Sequence, residues 1–282
     1  MILAHSFRQS VRRRANFILT SLGLRLKGFY TPYDYLGQIS WEQMPYDAVA
    51  EIFGAHAGSF YRFLDDISAN EKWFLQIEGE HTLPDWRTRY ISRLDGAAIY
   101  TGVSSFKPRK ILEIGSGNST HFMVRAIHDH KLATKITCID PAPREDISFL
   151  GVEFLERTLS PSDAPLCAQL QPGDILFVDS SHILQQGFDV DIILNRILPL
   201  LKTGVYIHFH DIFLPYGYQS PWQCTRFNEQ TALIPWLVTG RLEPVFASYF
   251  MWRDHAEAVR ATCPNFQLYD EGNGGSLWLK VT

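Results

Sequence analysis

Cysteine is scarce in this chain, with four residues in 282, at positions 138, 167, 224 and 263. None stand at metal-ligand or redox spacing, and most have apolar neighbours. That excludes a disulfide framework and a zinc site, and it points to reduced packing thiols in a cytoplasmic protein. No apolar run approaches the roughly 20 residues that a bilayer span needs, and no repeat or low-complexity tract is present. A formal charge of −4 and a pI near 6.2 leave no electrostatic footprint for DNA or RNA. Acids are missing from residues 1–33, which carry Arg8, Arg12, Arg13, Arg14, Arg25 and Lys27. The remainder holds 20 of the 26 basic side chains against all 30 acidic ones, a net of −10. Between those cations stand Phe7, Val11, Phe17, Ile18, Leu19 and Leu22. A basic apolar segment of this kind suits docking on the acidic body, a contact between copies in a homo-oligomer, or peripheral contact with the inner membrane surface. No small-residue cleavage site follows it, which argues against a cleaved signal.

What the chain does contain is a concentrated turn at Lys110-Ile-Leu-Glu-Ile-Gly-Ser-Gly-Asn-Ser-Thr120. Ile111, Leu112 and Ile114 have the branching and bulk of a strand covered on both faces. Gly115 and Gly117 permit a sharp bend with no side chain between backbone and ligand. From Thr120 to His130, Phe122, Val124, Ala126 and Ile127 recur at helical spacing. Strand, Gly-x-Gly and helix together form the nucleoside-binding corner of an open α/β sheet. Thr120 stands where a dinucleotide fingerprint favours a third glycine. Glu113 just ahead of the turn would repel a pyrophosphate and suit a cationic ligand. S-adenosylmethionine, with its ammonium and sulfonium, fits these residues better than NAD.

The segment Glu113–Ser119 resembles motif I of the class I S-adenosylmethionine-dependent methyltransferases. The resemblance implies cofactor contacts from Glu113, Gly115, Ser116, Gly117, Asn118 and Ser119. The next strand, Lys135–Ile139, ends in Asp140-Pro141, and an acid at that strand tip matches the family's ribose-binding position. Asp174–His182 reads as a buried strand ending in Asp179 and His182. Gly204–Ile212 reads as another, ending in His210 and Asp211. Ligands bind beyond the carboxyl ends of such strands, so both clusters are expected to face one crevice.

This pattern is similar to the metal-dependent small-molecule O-methyltransferases of the catechol and macrocin types. The resemblance implies a divalent cation, Mg²⁺ or another, on Asp179, His210 and Asp211, with Asp179 also facing the cofactor. A histidine replaces the family's usual acid at the first place of the second pair, and imidazole admits Mn²⁺, Fe²⁺ or Zn²⁺ as well. His182 matches the position of the general base, with His210 as a second candidate. For His208 a structural role is expected. Gly115–Thr120, Ile139–Pro141 and His208–Pro215 also resemble the motifs of one bacterial group within these enzymes.

The expected architecture is α/β: a Rossmann-like, seven-stranded, mostly parallel sheet with helices on both faces and an N-terminal helical cap. Residues 1–104 would form the basic segment and cap, and 105–282 the S-adenosylmethionine-binding domain. Helices are predicted over Pro45–Phe53, Ser59–Ile67, Arg89–Tyr100, Gln185–Leu201, Asn228–Val238 and His255–Ala261. Val152–Leu155, Leu242–Tyr249 and Ser276–Val281 supply the remaining strands, and 213–222 is expected to wall or cover the acceptor. Tyr90 and Asp95 are candidate pocket residues. The expected function is methyl transfer to a hydroxyl of a small polar acceptor, such as a sugar or glycan precursor. An Fe²⁺/2-oxoglutarate hydroxylase on the same fold, an NAD-dependent oxidoreductase and a non-catalytic cofactor-binding protein stay open at this point.

Overall fold

The computed structural model describes residues 14–22, 24, 34–35, 38, 44–80, 83–88, 90–219, 227–270 and 274–282. The chain divides into two compact units, Met1–Glu42 and Gln43–Thr282. In the first unit residues 14–21 form a helix. Arg8, Arg12, Arg13, Arg25 and Lys27 of the basic segment lie outside the described residues, as does Cys224. No helix among the described residues is long and apolar enough to cross a membrane.

The second unit is built on a seven-stranded sheet in the order β3-β2-β1-β4-β5-β7-β6. Its strands are β1 (Lys110–Ile114), β2 (Lys135–Ile139), β3 (Glu153–Leu155), β4 (Ile175–Val178), β5 (Tyr206–Phe209), β6 (Leu242–Ala247) and β7 (Leu277–Val281). β1 to β5 pair in parallel, and β7 lies antiparallel between β5 and β6. Every residue of β4 is buried, as continuous apolar strands covered on both faces must be. The strand order reverses between β1 and β4, so the carboxyl ends of these two parallel strands open the crevice in which open α/β sheets take ligands.

The helices of this unit include α1 (Asp47–Ala55), α2 (Ala57–Ala69), α3 (Glu71–Glu80), α4 (Arg93–Phe106), α5 (Asn118–Asp129), α6 (Asp189–Ile192), α7 (Glu229–Val238), α8 (Ser248–Asp254) and α9 (Ala256–Thr262). Helix α4 begins four residues later than expected because Ser92 caps it, its hydroxyl accepting from the Asp95 amide at 3.1 Å. It ends at Lys107, ahead of Pro108. Gly102 lets α4 approach the sheet closely, since a Cβ there would stand 2.5 Å from the Trp278 ring. The run expected over Gln185–Leu201 starts only at Asp189 and widens to π geometry over Ile193–Ile197. Pro199 offers no N–H and crowds the carbonyl four residues back, which breaks the regular ladder.

Two expectations are corrected. Tyr249 was placed in the sixth strand, but Ser248–Asp254 is helix. The Ser248 hydroxyl donates to Asp95 at 2.6 Å and accepts from the Ser276 amide at 2.7 Å, and this tertiary anchorage overrides the strand propensity of the aromatics. The helices of 47–80 do not cap the open end of the crevice, and none of their residues lines it. The stripe of Phe60, Phe63, Leu64 and Ile67 on α2 meets β6 and β7 instead, with Phe63 stacked on Phe246 at 4.7 Å.

Candidate active site

The turn after β1 is held by three strands at once. Gly115 donates to Ile139 O on β2 at 3.0 Å, and Asp179 beyond β4 donates to Ile114 O at 2.9 Å. At φ +83°, Gly115 passes so close to β4 that a Cβ would stand 1.8 Å from the Asp179 carbonyl oxygen. Only glycine fits there. Ser116 then donates its amide to the Asp140 carboxylate at 2.7 Å, and Ala142 donates to the other carboxylate oxygen at 2.7 Å. The second strand tip is thereby tied to the turn, with lone pairs of Asp140 left facing the space above it.

That space is a crevice of about 520 Å³. Gly115, Ser116, Gly117, Asn118, Ser119, Asp140, Pro141, Asp179 and Tyr90 all line it. Tyr90 is 56% exposed and carries the Arg144 guanidinium 5.2 Å from its ring centre. Sequence reasoning missed Arg144, Thr158, Leu159, Ser180, Ser181 and the Gly187–Asp189 turn, which also line the crevice. These residues sit in connections without periodicity, and only the close return of the chain brings them together.

Glu113 is the exception among the expected contacts. It is fully buried, does not line the crevice and accepts from Ser119 Oγ at 2.6 Å, Thr120 Oγ1 at 2.7 Å and Cys138 Sγ at 3.1 Å. Burial pushes its carboxyl up to about 7, against the pull of those donors. In this position it anchors the first turn of α5. Thr120 takes part in the same lock, accepting from the Gly117 amide at 3.0 Å. That is the physical reason for a hydroxyl where a dinucleotide loop has glycine. Asp95 likewise turns inward, receiving Ser248 Oγ and the amides of Gly275 and Ser276.

Beyond Asp179 a second cluster begins. Asp179, His210 and Asp211 each bring one ligand-type atom to within 4.8 Å of the others. His182 joins them, its Nε2 standing 3.5 Å from Asp179 Oδ1 and 3.4 Å from Asp211 Oδ2. Its Nδ1 pairs with Glu229 Oε2 at 2.9 Å. Nothing in the sequence pattern signals Glu229, which arrives from α7, 47 residues further on. His182 and Asp211 both hold positive φ, at +59° and +57°, a strained backbone maintained by its surroundings. His210 is buried, and neither of its ring nitrogens has a hydrogen-bond partner among the described residues.

The charges here are tightly linked. Burial opposes ionisation of Asp179, yet His210 and His182 hold its carboxyl below the usual range. Burial pushes Asp211 up despite the same two imidazoles. Burial also opposes protonation of His182, but Asp179, Glu229 and Asp211 outweigh it and raise it well above the usual histidine range. Asp179 and Asp211 raise His210 in the same way. His208 stands apart: it stacks on Phe177 at 4.0 Å, pairs with Ser276 Oγ at 2.9 Å and is pushed low by burial and by His210. It belongs to the packing of β5 against β4 and β7.

The loop expected to wall the acceptor is described through Gln219. Gln230 pins it, accepting from the Phe213 amide at 2.8 Å and donating to Tyr216 O at 3.1 Å. Phe213 and Tyr218 pack with Tyr249 in a separate aromatic cluster, and the described residues of the loop do not line the crevice.

Residues 112–212, from β1 to just beyond β5, match the family model described as a methyltransferase domain. No curated protein matches the chain. Among solved structures it is similar to an O-methyltransferase from Bacillus cereus in complex with S-adenosylhomocysteine, at 15% identity over 76% of this chain and 91% of that one, with a TM-score of 0.45. It is also similar to an S-adenosylhomocysteine-bound methyltransferase from Podospora anserina, at 17% identity over 90% and 99% of the two chains, TM-score 0.40. A third is an O-methyltransferase-like protein from Klebsiella pneumoniae, at 16% identity over 78% and 90%, TM-score 0.44. The matched segment holds the Gly115 turn, the Asp140 strand tip and the Asp179 crevice in one piece, and it is this part of the chain that is similar to a methyltransferase domain.

Proposed function

We propose that the enzyme transfers the methyl group to a hydroxyl oxygen of a small polar acceptor, of the sugar or glycan-precursor class, with a divalent cation on Asp179, His210 and Asp211. One observation carries this reading. The three side chains converge at the Asp179 end of the donor crevice, and neither ring nitrogen of the buried His210 has a hydrogen-bond partner among the described residues. A buried imidazole in that condition is incompletely satisfied, and a metal ligand role completes it. Hard carboxylate oxygens beside it supply the rest of a divalent set. When bound, the cation would lower the pKa of an acceptor hydroxyl.

The chain's own residues do the remaining work. Asp140 holds the donor's ribose, and the Gly115–Gly117 backbone receives the methionine end of the donor. As the acceptor oxygen bonds to the methyl carbon, the carbon–sulfur bond breaks and S-adenosylhomocysteine leaves. We assign the hydroxyl proton to the carboxylate oxygen of Asp211 that does not hold the cation. His182 Nε2 stands against both acids, 3.5 Å from Asp179 Oδ1 and 3.4 Å from Asp211 Oδ2. The sulfonium is already activated, so alignment and exclusion of water account for much of the rate, up to ~7–11 kcal/mol in well-oriented systems.

The test is S-adenosylhomocysteine release over a panel of sugars, nucleotide-linked sugars and catechols, with Mg²⁺ or Mn²⁺ and then with chelator. Turnover on a hydroxylated acceptor that chelator abolishes is expected. Asp179→Asn and Asp211→Asn should each lower it by about 100-fold or more, while donor affinity stays near that of the parent. Full turnover after chelation removes the cation from the reading, and methylation of only nitrogen or sulfur acceptors removes the hydroxyl.

A further inference from the structure

We infer that His182 is a fourth ligand of this cation site, held in place by Glu229, and that the site therefore selects a transition metal such as Mn²⁺, Fe²⁺ or Co²⁺ over Mg²⁺. The inference rests on the proposed function for the existence of the site and goes beyond it in ligand number, metal class and the role of Glu229.

The geometry starts from α7. The amides of Asn228 and Glu229 donate to the His182 carbonyl at 3.0 and 3.3 Å, and Asn228 Oδ1 accepts from the Leu184 amide at 2.6 Å. The helix start is thus clamped on the turn after β4. That clamp sets Glu229, only 1% exposed, against His182, 3% exposed. A carboxylate can only accept, so the bond at 2.9 Å makes Nδ1 the protonated nitrogen and leaves Nε2 as the atom offered to the site.

Nε2 is not offered to open space. It points between Asp179 Oδ1 and Asp211 Oδ2, at 3.5 and 3.4 Å, and His210 Nδ1 stands 3.5 Å from Asp211 Oδ1. These contacts are longer than good charge-assisted hydrogen bonds, which run near 2.7–2.9 Å. They match donors sharing one ion: two atoms each about 2.1 Å from a metal lie about 3.0–3.5 Å apart. A carboxylate on the far nitrogen of a ligating histidine is the recurrent outer partner of metal-bound imidazole. Glu229 is a positioning residue in that sense, acting through His182.

Two imidazoles and two carboxylates form a set unlike an all-oxygen one. Mg²⁺ demands oxygen ligands and keeps its waters, whereas imidazole nitrogen favours later first-row ions. The strained φ of +59° at His182 agrees with a side chain aimed by its surroundings rather than by local preference.

The test uses the full chain, freed of metal and titrated with Co²⁺, Mn²⁺ and Mg²⁺ by calorimetry, with pulsed EPR of the Mn²⁺ form. One ion per chain, Co²⁺ bound at least about 100-fold more tightly than Mg²⁺, and two histidine nitrogens coupled to Mn²⁺ are expected. His182→Gln should remove one nitrogen coupling and His210→Gln the other. Glu229→Gln should keep both couplings and weaken Co²⁺ by about 10–100-fold, with Glu229→Asp recovering part of the loss. S-adenosylhomocysteine affinity serves as the folding control. If His182→Gln fails to fold, the nitrogen count in the parent protein still decides. A single nitrogen coupling, or equal affinity for Mg²⁺ and Co²⁺, overturns the inference while leaving a cation site in place. No binding of any of the three ions overturns both, and His182 is then an imidazolium bridge between two acids.

Discussion

Gly115→Ala offers the sharpest test of how the site is assembled. The added Cβ would lie 1.8 Å from the Asp179 carbonyl oxygen and 2.8 Å from its carbon. Real contacts of this kind stay beyond about 3 Å, so the end of β4 would have to retreat by more than ~1 Å, a displacement of the kind overpacked cores resist at about 1–3 kcal/mol. A side chain at φ +83° adds about 1–3 kcal/mol of backbone strain. Together these amount to about 2–6 kcal/mol, or a fall in unfolding temperature of about 4–24 °C for a unit of this size. Gly151→Ala is the matched control: it shares a positive φ, +70°, but nothing lies within 4 Å of its Cβ. It should lose only the strain, about 1–3 kcal/mol, or about half the fall expected of Gly115→Ala. Differential scanning calorimetry of both variants, with and without S-adenosylhomocysteine, separates the two effects. The clash also moves Asp179 away from Gly115, so ligand stabilisation should shrink in Gly115→Ala and persist in Gly151→Ala. Equal melting temperatures for the two variants would refute the argument that close approach, and not conformation alone, demands glycine here.

Three further outcomes are expected. Asp140→Ala should weaken S-adenosylmethionine binding by about ten-fold or more, the scale of a charged hydrogen bond; calorimetric affinity equal to the parent's would remove its ribose role. Glu113 carries a carboxyl raised to about 7 by burial. Its folded-state value lies above its unfolded one, so its contribution is complete below the unfolded value near 4.5 and is lost as pH rises through 7. The loss is on the order of 3 kcal/mol. Thermal unfolding of the parent should weaken from pH 5 to pH 8 more steeply than that of Glu113→Gln, and parallel slopes would contradict the assignment. Asp95→Ala would leave the buried amides of Gly275 and Ser276 without their carboxylate. Each such group costs about 1–3 kcal/mol, so denaturant titration should show a loss of several kcal/mol, and a loss below about 1 kcal/mol would exclude the hub role.

Much of the fold is legible because its signals are local. Ile111, Leu112 and Ile114 ahead of Gly115, and the all-apolar Ile175–Val178, announce parallel strands through burial on both faces. The failures are just as physical. Tyr249 has the propensity of a strand residue, but Ser248 is bonded to Asp95, 153 positions earlier, and to Ser276. The aromatic stripe of α2 announces a helix without saying which surface it covers, and the edge of the sheet at β6 supplies that surface. Thr158 and Leu159 follow a three-residue strand, too short for alternation to mark.

The sequence by itself determines the cofactor corner, because Gly115, Gly117 and Asp140 stand within one βαβ stretch where backbone conformation and spacing are local properties. It also determines that Asp179, His210 and Asp211 meet, since strand ends in a parallel sheet share one edge. Only the tertiary structure decides what each charge does there. Glu113 turns inward to Ser119 and Thr120, and Glu229 crosses from α7 to hold His182. A carboxylate's role follows from its nearest donors and its burial, and those are set by chain segments far apart in sequence.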